Sequence, residues 1–224
     1  MTRKERSEAY LQKHGVKINP NLPDIEPVAK MHTAEEILRR ALAAFLACQI
    51  AVDIADGSDA QESAKFFTGL LVRFGLEHDL TPTEQRLFAY YDPEAPRTVS
   101  PEEASDLSWR MEMCIPLFWA CGLLKGELPY PDRPSEIEGL VRMIAAAENL
   151  EVLQILTKLR PEEEILDRAD LIYRMDWACV DAMLKKEQPT GGLFHDVVME
   201  QHKGLNWIIG AYDAEDWDNV KPHT

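Results

Sequence analysis

The sequence is short of positive charge, of cysteine and of long apolar runs, and each shortage removes a class of function. Asp and Glu outnumber Lys and Arg by 39 to 24, for a formal charge of −15. Charge of that sign opposes nonspecific association with nucleic-acid phosphates or with an anionic membrane surface. It would also suit a nucleic-acid mimic or an antagonist of a basic partner, but its plainest reading is solubility. Cys48, Cys114, Cys121 and Cys179 form no C-x-x-C pair of the kind used for zinc or redox chemistry, and all sit in apolar helical contexts as small core residues. The opening Met-Thr-Arg-Lys-Glu-Arg leads into a polar segment rather than the apolar stretch of a secretory signal, so a cytoplasmic protein is expected. Ala41 to Val52, interrupted by Gln49, is the longest nearly apolar run and falls short of the roughly 20 residues a membrane span takes. There is no period-two alternation between hairpin turns, no repeat at a fixed period, no phosphate loop and no nucleophile or metal motif. Neither strands nor a cofactor are expected.

Helix signals fill the space these absences leave. A hydroxyl followed three residues later by glutamate lets both side chains satisfy free backbone N–H groups, and Thr33–Glu36, Thr81–Glu84 and Ser100–Glu103 all fit. Pro82 and Pro101 then occupy the first helical position, where a missing N–H costs nothing. With 46% hydrophobic residues, the chain reads as all-α: a single multi-helix domain of about eight or nine helices around a central buried helix. The first 32 residues read as a polar helix ending at Gly15 and an extended arm at Asn19–Pro23, and residues 33–224 as the all-α domain. The apolar period predicts a buried helix from Thr33 to about Asp56 and another over 60–74 with Phe66, Phe67, Leu70, Leu71 and Phe74 inward. A helix from Pro101 to Gly122 should kink at Pro116. Pro129, Pro131 and Pro134 stiffen the stretch near 126–135, the one candidate point of subdivision. Helices over 161–186, predicted to be central, and about 193–209, packed against it, complete the set.

The polar residues of interest lie inside apolar stripes. Leu166, Asp170, Tyr173, Trp177, Val180 and Leu184 share one helical face, and Asp170 precedes Arg174 at the i, i+4 spacing that permits an ion pair. Asp167, Asp176 and Asp181 complete a ring of carboxylates best read as an ion-pair network, since no Glu-x-x-His supplies the convergence of a metal site. Arg110 and Glu112, beside Trp109, point about 200° apart on a helix. Arg110 reads as the partner of an acidic residue on another helix, with Asp170 the obvious candidate, or as an anion-binding group in a cleft. In the last helix Val198, Gln201, Leu205 and Ile208 make one face, and His195, Met199, His202 and Asn206 its neighbour. Glu200, Gly204 and Trp207 align on a third, which would set a carboxylate against an indole over a glycine that permits close approach. His195 and His202 are seven apart, wider than the zinc pair of H-E-x-x-H.

Three segments, Ser108–Glu112, Glu163–Ala178 and Met199–Trp207, together with His14–Pro23 and Trp217–Val220, resemble an uncharacterised bacterial family of domains of unknown function, DUF4272. Where that family's last motif carries an arginine between glutamate and histidine, this chain has Gln201. The resemblance implies no activity and no catalytic residue. Two functional readings follow from the residues. The first is a noncatalytic cytosolic module that binds another protein. The second is an enzyme or small-ligand-binding protein with a pocket formed by Arg110, Asp170, Arg174, Glu200 and His202, inside a wider polar cluster that adds Trp109, Glu112, Trp177 and Asn206. Tyr212 and Trp217 would serve a homo-oligomer contact as readily as they would cover the core.

Overall fold

A computed structural model of the chain describes residues 1–25, 31–211 and 216–223. Its α-helices are α1 (Arg3–Lys13), α2 (Ala34–Ala55), α3 (Ala60–Arg73), α4 (Pro82–Phe88), α5 (Pro101–Ser108), α6 (Met111–Ala120), α7 (Glu138–Ala146), α8 (Leu150–Leu156), α9 (Glu162–Lys185) and α10 (His195–Ile208). Single 3₁₀ turns cover Ala89–Tyr91, Thr190–Gly192 and Trp217–Asn219, and no strand occurs among the described residues. The capping signals do start helices. Thr33, Thr81 and Ser100 each accept the backbone N–H of the glutamate three residues on, and Thr33 and Thr81 complete the reciprocal box.

One expected helix is two. The segment from Pro101 divides at Trp109–Arg110, where Glu112 N bonds Trp109 O and Met113 N bonds Arg110 O in i→i+3 fashion, while α6 continues through Pro116. A proline ring crowds the carbonyl four residues back, here that of Glu112, and the chain absorbs the change just upstream by tightening a turn rather than breaking at the proline itself.

The core runs through a series of neighbours. α2 packs on α3, α5 and α6; α6 packs on α10; α10 packs on α9; and α9 packs on α1. Every residue of α6 is buried, and Phe118 meets Phe45 of α2 edge to face at 5.5 Å. α10 thus packs on α9 as expected, but α2 and α6 share the centre with it. The α6/α10 contact is close because Gly204 faces the Met113 carbonyl, leaving no room there for a Cβ. Amphipathic patterning misplaces two side chains: Phe66, expected inward, is 59% exposed, and Leu184 at the end of the α9 stripe is 77% exposed. Phe66 lies mid-helix at the edge of the face that Ser63, Ala64, Leu70 and Leu71 bury, and Leu184 lies in the last turn of α9. Trp217 covers the core, edge to face with Trp207 at 5.5 Å and beneath Arg40; Tyr212 lies outside the described residues.

All four cysteines are free and buried, as small core residues. Desolvation pushes the Cys121 and Cys179 thiols up to about 12 and Cys114 well above its ordinary value. In the unfolded chain these thiols ionise near 9.0, so above that pH the folded state holds protons the unfolded state has lost, and stability falls as pH rises toward about 12. Between pH 8 and 10.5 the loss should be roughly 2 kcal/mol for each of Cys121 and Cys179. Urea midpoints at the two pH values check it; an unchanged midpoint contradicts it.

Candidate ligand-binding cleft

The segment after α6 is tied to the helices by groups that bond its carbonyls. Arg160 Nη2 donates to Leu124 O at 3.2 Å and Gly126 O at 2.7 Å, and Arg168 Nη2 donates to Pro129 O at 3.2 Å. The Phe194 N–H donates to Pro131 O at 2.8 Å, and the Tyr130 hydroxyl to Gly191 O at 2.7 Å. Pro129, Pro131 and Pro134 have no N–H to offer, so this stretch is anchored through its carbonyls and stays extended. Beneath it lies a cleft of about 450 Å³, a size that suits a small ligand, to which the helices contribute Ile115 of α6 and Gln201 of α10.

Two of the lining residues, Ser135 and Gln201, bond the buried Glu112 behind them. Glu112 of α6 accepts from the Ser135 N–H at 2.6 Å, the Ser135 hydroxyl at 2.8 Å and the Gln201 Nε2 at 3.2 Å. All three donors are neutral, and Glu112 forms no ion pair among the described residues. Gln201 is 1% exposed, and its Oε1 is buried without a hydrogen-bond partner. Turning that amide over would set its oxygen against the carboxylate, so the bond to Glu112 fixes its orientation. A buried carbonyl left without a donor costs about 1–3 kcal/mol. The three donors are spent on Glu112, and the Gln201 carbonyl is left without one.

The residues singled out from sequence are distributed elsewhere. Arg174 donates to Asp170 from Nε at 2.8 Å and Nη2 at 2.9 Å, forming the i, i+4 pair its spacing permits. Asp167 pairs with Arg3 and Arg6, and Asp181 with Lys17 and Lys185, so these α9 carboxylates do form ion pairs, while Asp176 is hydrogen-bonded to His202 Nδ1 at 2.9 Å. Lys17 also sits over the Trp177 ring, and Asn206 Nδ2 reaches Lys221 O. Arg110 does not meet Asp170. It bonds Asp218 at 2.6 Å, because the Trp217–Asn219 turn folds back over the α5/α6 junction, while Asp170 is already held by Arg174. Burial pushes the Asp218 carboxyl up, yet bonds from Arg110 and Thr83 outweigh it and leave it below its ordinary value. Nor does Glu200 lean on an indole: it accepts from Lys203 at 2.5 Å, while Trp207 stacks on His32 at 3.9 Å.

Of the five residues of the expected pocket, Arg110 and Glu200 share a cavity. With Trp109 and Lys203 they line a recess of about 380 Å³, in which Arg110 is paired with Asp218 and Glu200 with Lys203. Asp170, Arg174 and His202 are enclosed in the interior. The cleft residues Ser135 and Gln201 were not among the candidates; Gln201 did carry a signal, as the one polar member of the apolar face Val198, Leu205 and Ile208. Among the described residues no three His, Cys, Asp or Glu side chains gather as metal ligands, and no helix is long and apolar enough to cross a membrane.

A family model, Domain of unknown function (DUF4272), matches residues 3–220. The chain belongs to the DUF4272 family. No curated protein and no solved structure matches it. In this DUF4272 chain the three segments that carry the resemblance lie at the α5/α6 junction, on α9 and on α10, and α10 packs against both α6 and α9. Their polar residues largely bond one another or the two termini, which assigns much of the pattern to holding the fold.

Proposed function

We propose that this domain binds a small amine-bearing molecule in the cleft beneath residues 124–136. The reading rests on one observation: Gln201 Oε1 is buried without a donor, beside a Glu112 carboxylate that no cation among the described residues neutralises. A ligand ammonium or amine would supply both the donor and the charge, and a charge-assisted bond in a desolvated site is about twice as strong as a neutral one. Lys125 and Arg133 lie on the cleft lining, where they would favour a ligand that also carries an acceptor.

Thermal denaturation of the full chain with panels of small amines, amides and carboxylates tests this. An amine at about 100 times its Kd should add about 2.7 kcal/mol, a rise of roughly 5–10 °C for a chain of this size. Gln201→Leu should remove that rise. Without ligand the variant should remain within about 1 kcal/mol of the parent, because it loses a long hydrogen bond and an unbonded carbonyl together. Rises confined to carboxylates, or unaffected by Gln201→Leu, contradict the proposal.

A second reading, a noncatalytic module that binds another protein, draws on α8. Val152, Ile155 and Leu156 sit on one face of it, and Ile155 is 76% exposed. A second copy is the simplest partner; light scattering of parent and Ile155→Glu would show an oligomer that the variant loses. Under either reading we infer a cytoplasmic protein that avoids nucleic acid and membranes, supported by the charge of −15.

A further inference from the structure

Buried arginines in this fold have carboxylate partners, with one exception. Arg40 bonds Glu84 and Arg174 bonds Asp170. Arg168, 8% exposed on α9, forms no ion pair among the described residues. Its Nη2 donates to Pro129 O at 3.2 Å, and its Nε is buried without a partner. The side chain lines a recess of about 330 Å³ between α1 and α9, which shares Glu127 and Leu128 with the cleft described above. Removing a guanidinium from water without a paired carboxylate is costly, and the one bond it makes, to the Pro129 carbonyl, anchors the chain but leaves that charge uncompensated.

We propose that the recess between α1 and α9 binds a small organic monocarboxylate, its carboxylate on Arg168 and its apolar body against Trp119, Leu128 and Leu171. The guanidinium fork matches a carboxylate in geometry and supplies the missing charge. The apolar wall suits a hydrocarbon or aromatic tail. Three carboxylates, Glu127, Glu164 and Asp167, also lie on the lining. Arg160 neutralises Glu164, and Arg3 with Arg6 neutralises Asp167, but Glu127 repels any second negative charge, which disfavours phosphate dianion. Burial also pushes the Arg168 guanidinium down to about 10, against the pull of Tyr10 and Glu127, so it stays cationic at neutral pH while held at a cost that a bound anion would relieve.

The test uses the full chain with benzoate and hexanoate as probes, benzamide as the neutral counterpart of benzoate, and inorganic phosphate. Calorimetric titration should show saturable binding of the two carboxylates, weaker binding of phosphate and none of benzamide. Arg168→Met should raise Kd for benzoate by about tenfold or more, since losing one charge-assisted pair is worth at least that factor. Arg168→Lys, which keeps the charge but not the fork, should fall between and covers the case in which the methionine variant does not fold. Gln201→Leu should leave benzoate binding unchanged, which separates this site from the amine cleft. The proposal is overturned if neither carboxylate binds, if phosphate binds more tightly than benzoate, or if Arg168→Lys and the parent bind benzoate equally.

Discussion

Arg174→Ala is expected to lower stability by about 3–5 kcal/mol, the usual cost of removing one member of a buried pair. In a chain of this length that is a fall in Tm of roughly 6–20 °C. The magnitude follows from what the substitution leaves behind. Asp170 is 0% exposed and takes both of its charge-assisted bonds from Arg174, apart from a long contact with the Ile25 N–H at 3.4 Å. Alanine therefore strands a buried carboxylate and opens a void where one of the largest fully buried side chains stood. It also frees the Pro23 carbonyl, which Arg174 Nη2 bonds at 2.9 Å, and so loosens the arm that follows α1. The double variant Asp170→Leu with Arg174→Met should lose much less, because it removes both charges and keeps the volume. Thermal unfolding of the three proteins decides the point; equal losses in the single and double variants would show that volume, not charge, holds this part of the fold.

Gly204→Ala is the second large effect, a loss of about 3 kcal/mol from an added methyl group. Alanine normally gains up to about 1 kcal/mol over glycine inside a helix. Here the new Cβ would run into the backbone carbonyl of Met113 and lie 2.8 Å from Pro116 Cγ. Neither atom is the end of a flexible chain, so α6 and α10 must separate along the contact that carries Glu112 and Gln201. Overpacking of this kind typically costs about 1–3 kcal/mol, and a rigid proline on the opposing helix places it at the upper end. Gly69→Ala is the control: it sits inside α3 with nothing near its Cβ direction and should raise stability by up to about 1 kcal/mol. Chemical denaturation of both variants checks the sign; two stabilised proteins would contradict the close crossing of α6 and α10. Because the same crossing positions Gln201 under Ser135, Gly204→Ala should also weaken ligand binding in the cleft.

What could be read from the sequence was what depends on neighbours along the chain. The Thr33, Thr81 and Ser100 caps and the Asp170–Arg174 pair each involve residues three or four apart, so spacing alone determines whether they can meet. The helices followed from apolar period, and so did the packing of α10 on α9. Partners far apart in sequence were another matter. Arg110 finds Asp218 across 108 positions, and Glu112 finds Ser135 through a proline-stiffened segment whose path no local preference specifies. Pattern identifies Arg110 as a residue in need of a counter-charge but says nothing about which carboxylate the fold delivers. Phe66 failed for a related reason: a helical stripe shows where apolar side chains line up, not how wide an arc of it the neighbouring elements cover, and Phe66 sits at the edge of the arc that Ser63, Ala64, Leu70 and Leu71 bury. Arg168 gave no warning at all. It sits four residues after Glu164, at a spacing that permits an ion pair, and the fold gives that carboxylate to Arg160 instead. Gln201 was visible as a polar residue in an apolar face, but its meaning required Glu112 to be brought beside it from α6.

The most direct test of the cleft is a crystal structure of the full chain soaked with small amines. Density for an amine between Ser135 and Gln201, with its nitrogen about 3 Å from Gln201 Oε1, is the predicted result. A cleft that holds only water at every amine concentration, or amines bound elsewhere while Gln201 Oε1 stays without a donor, would contradict it.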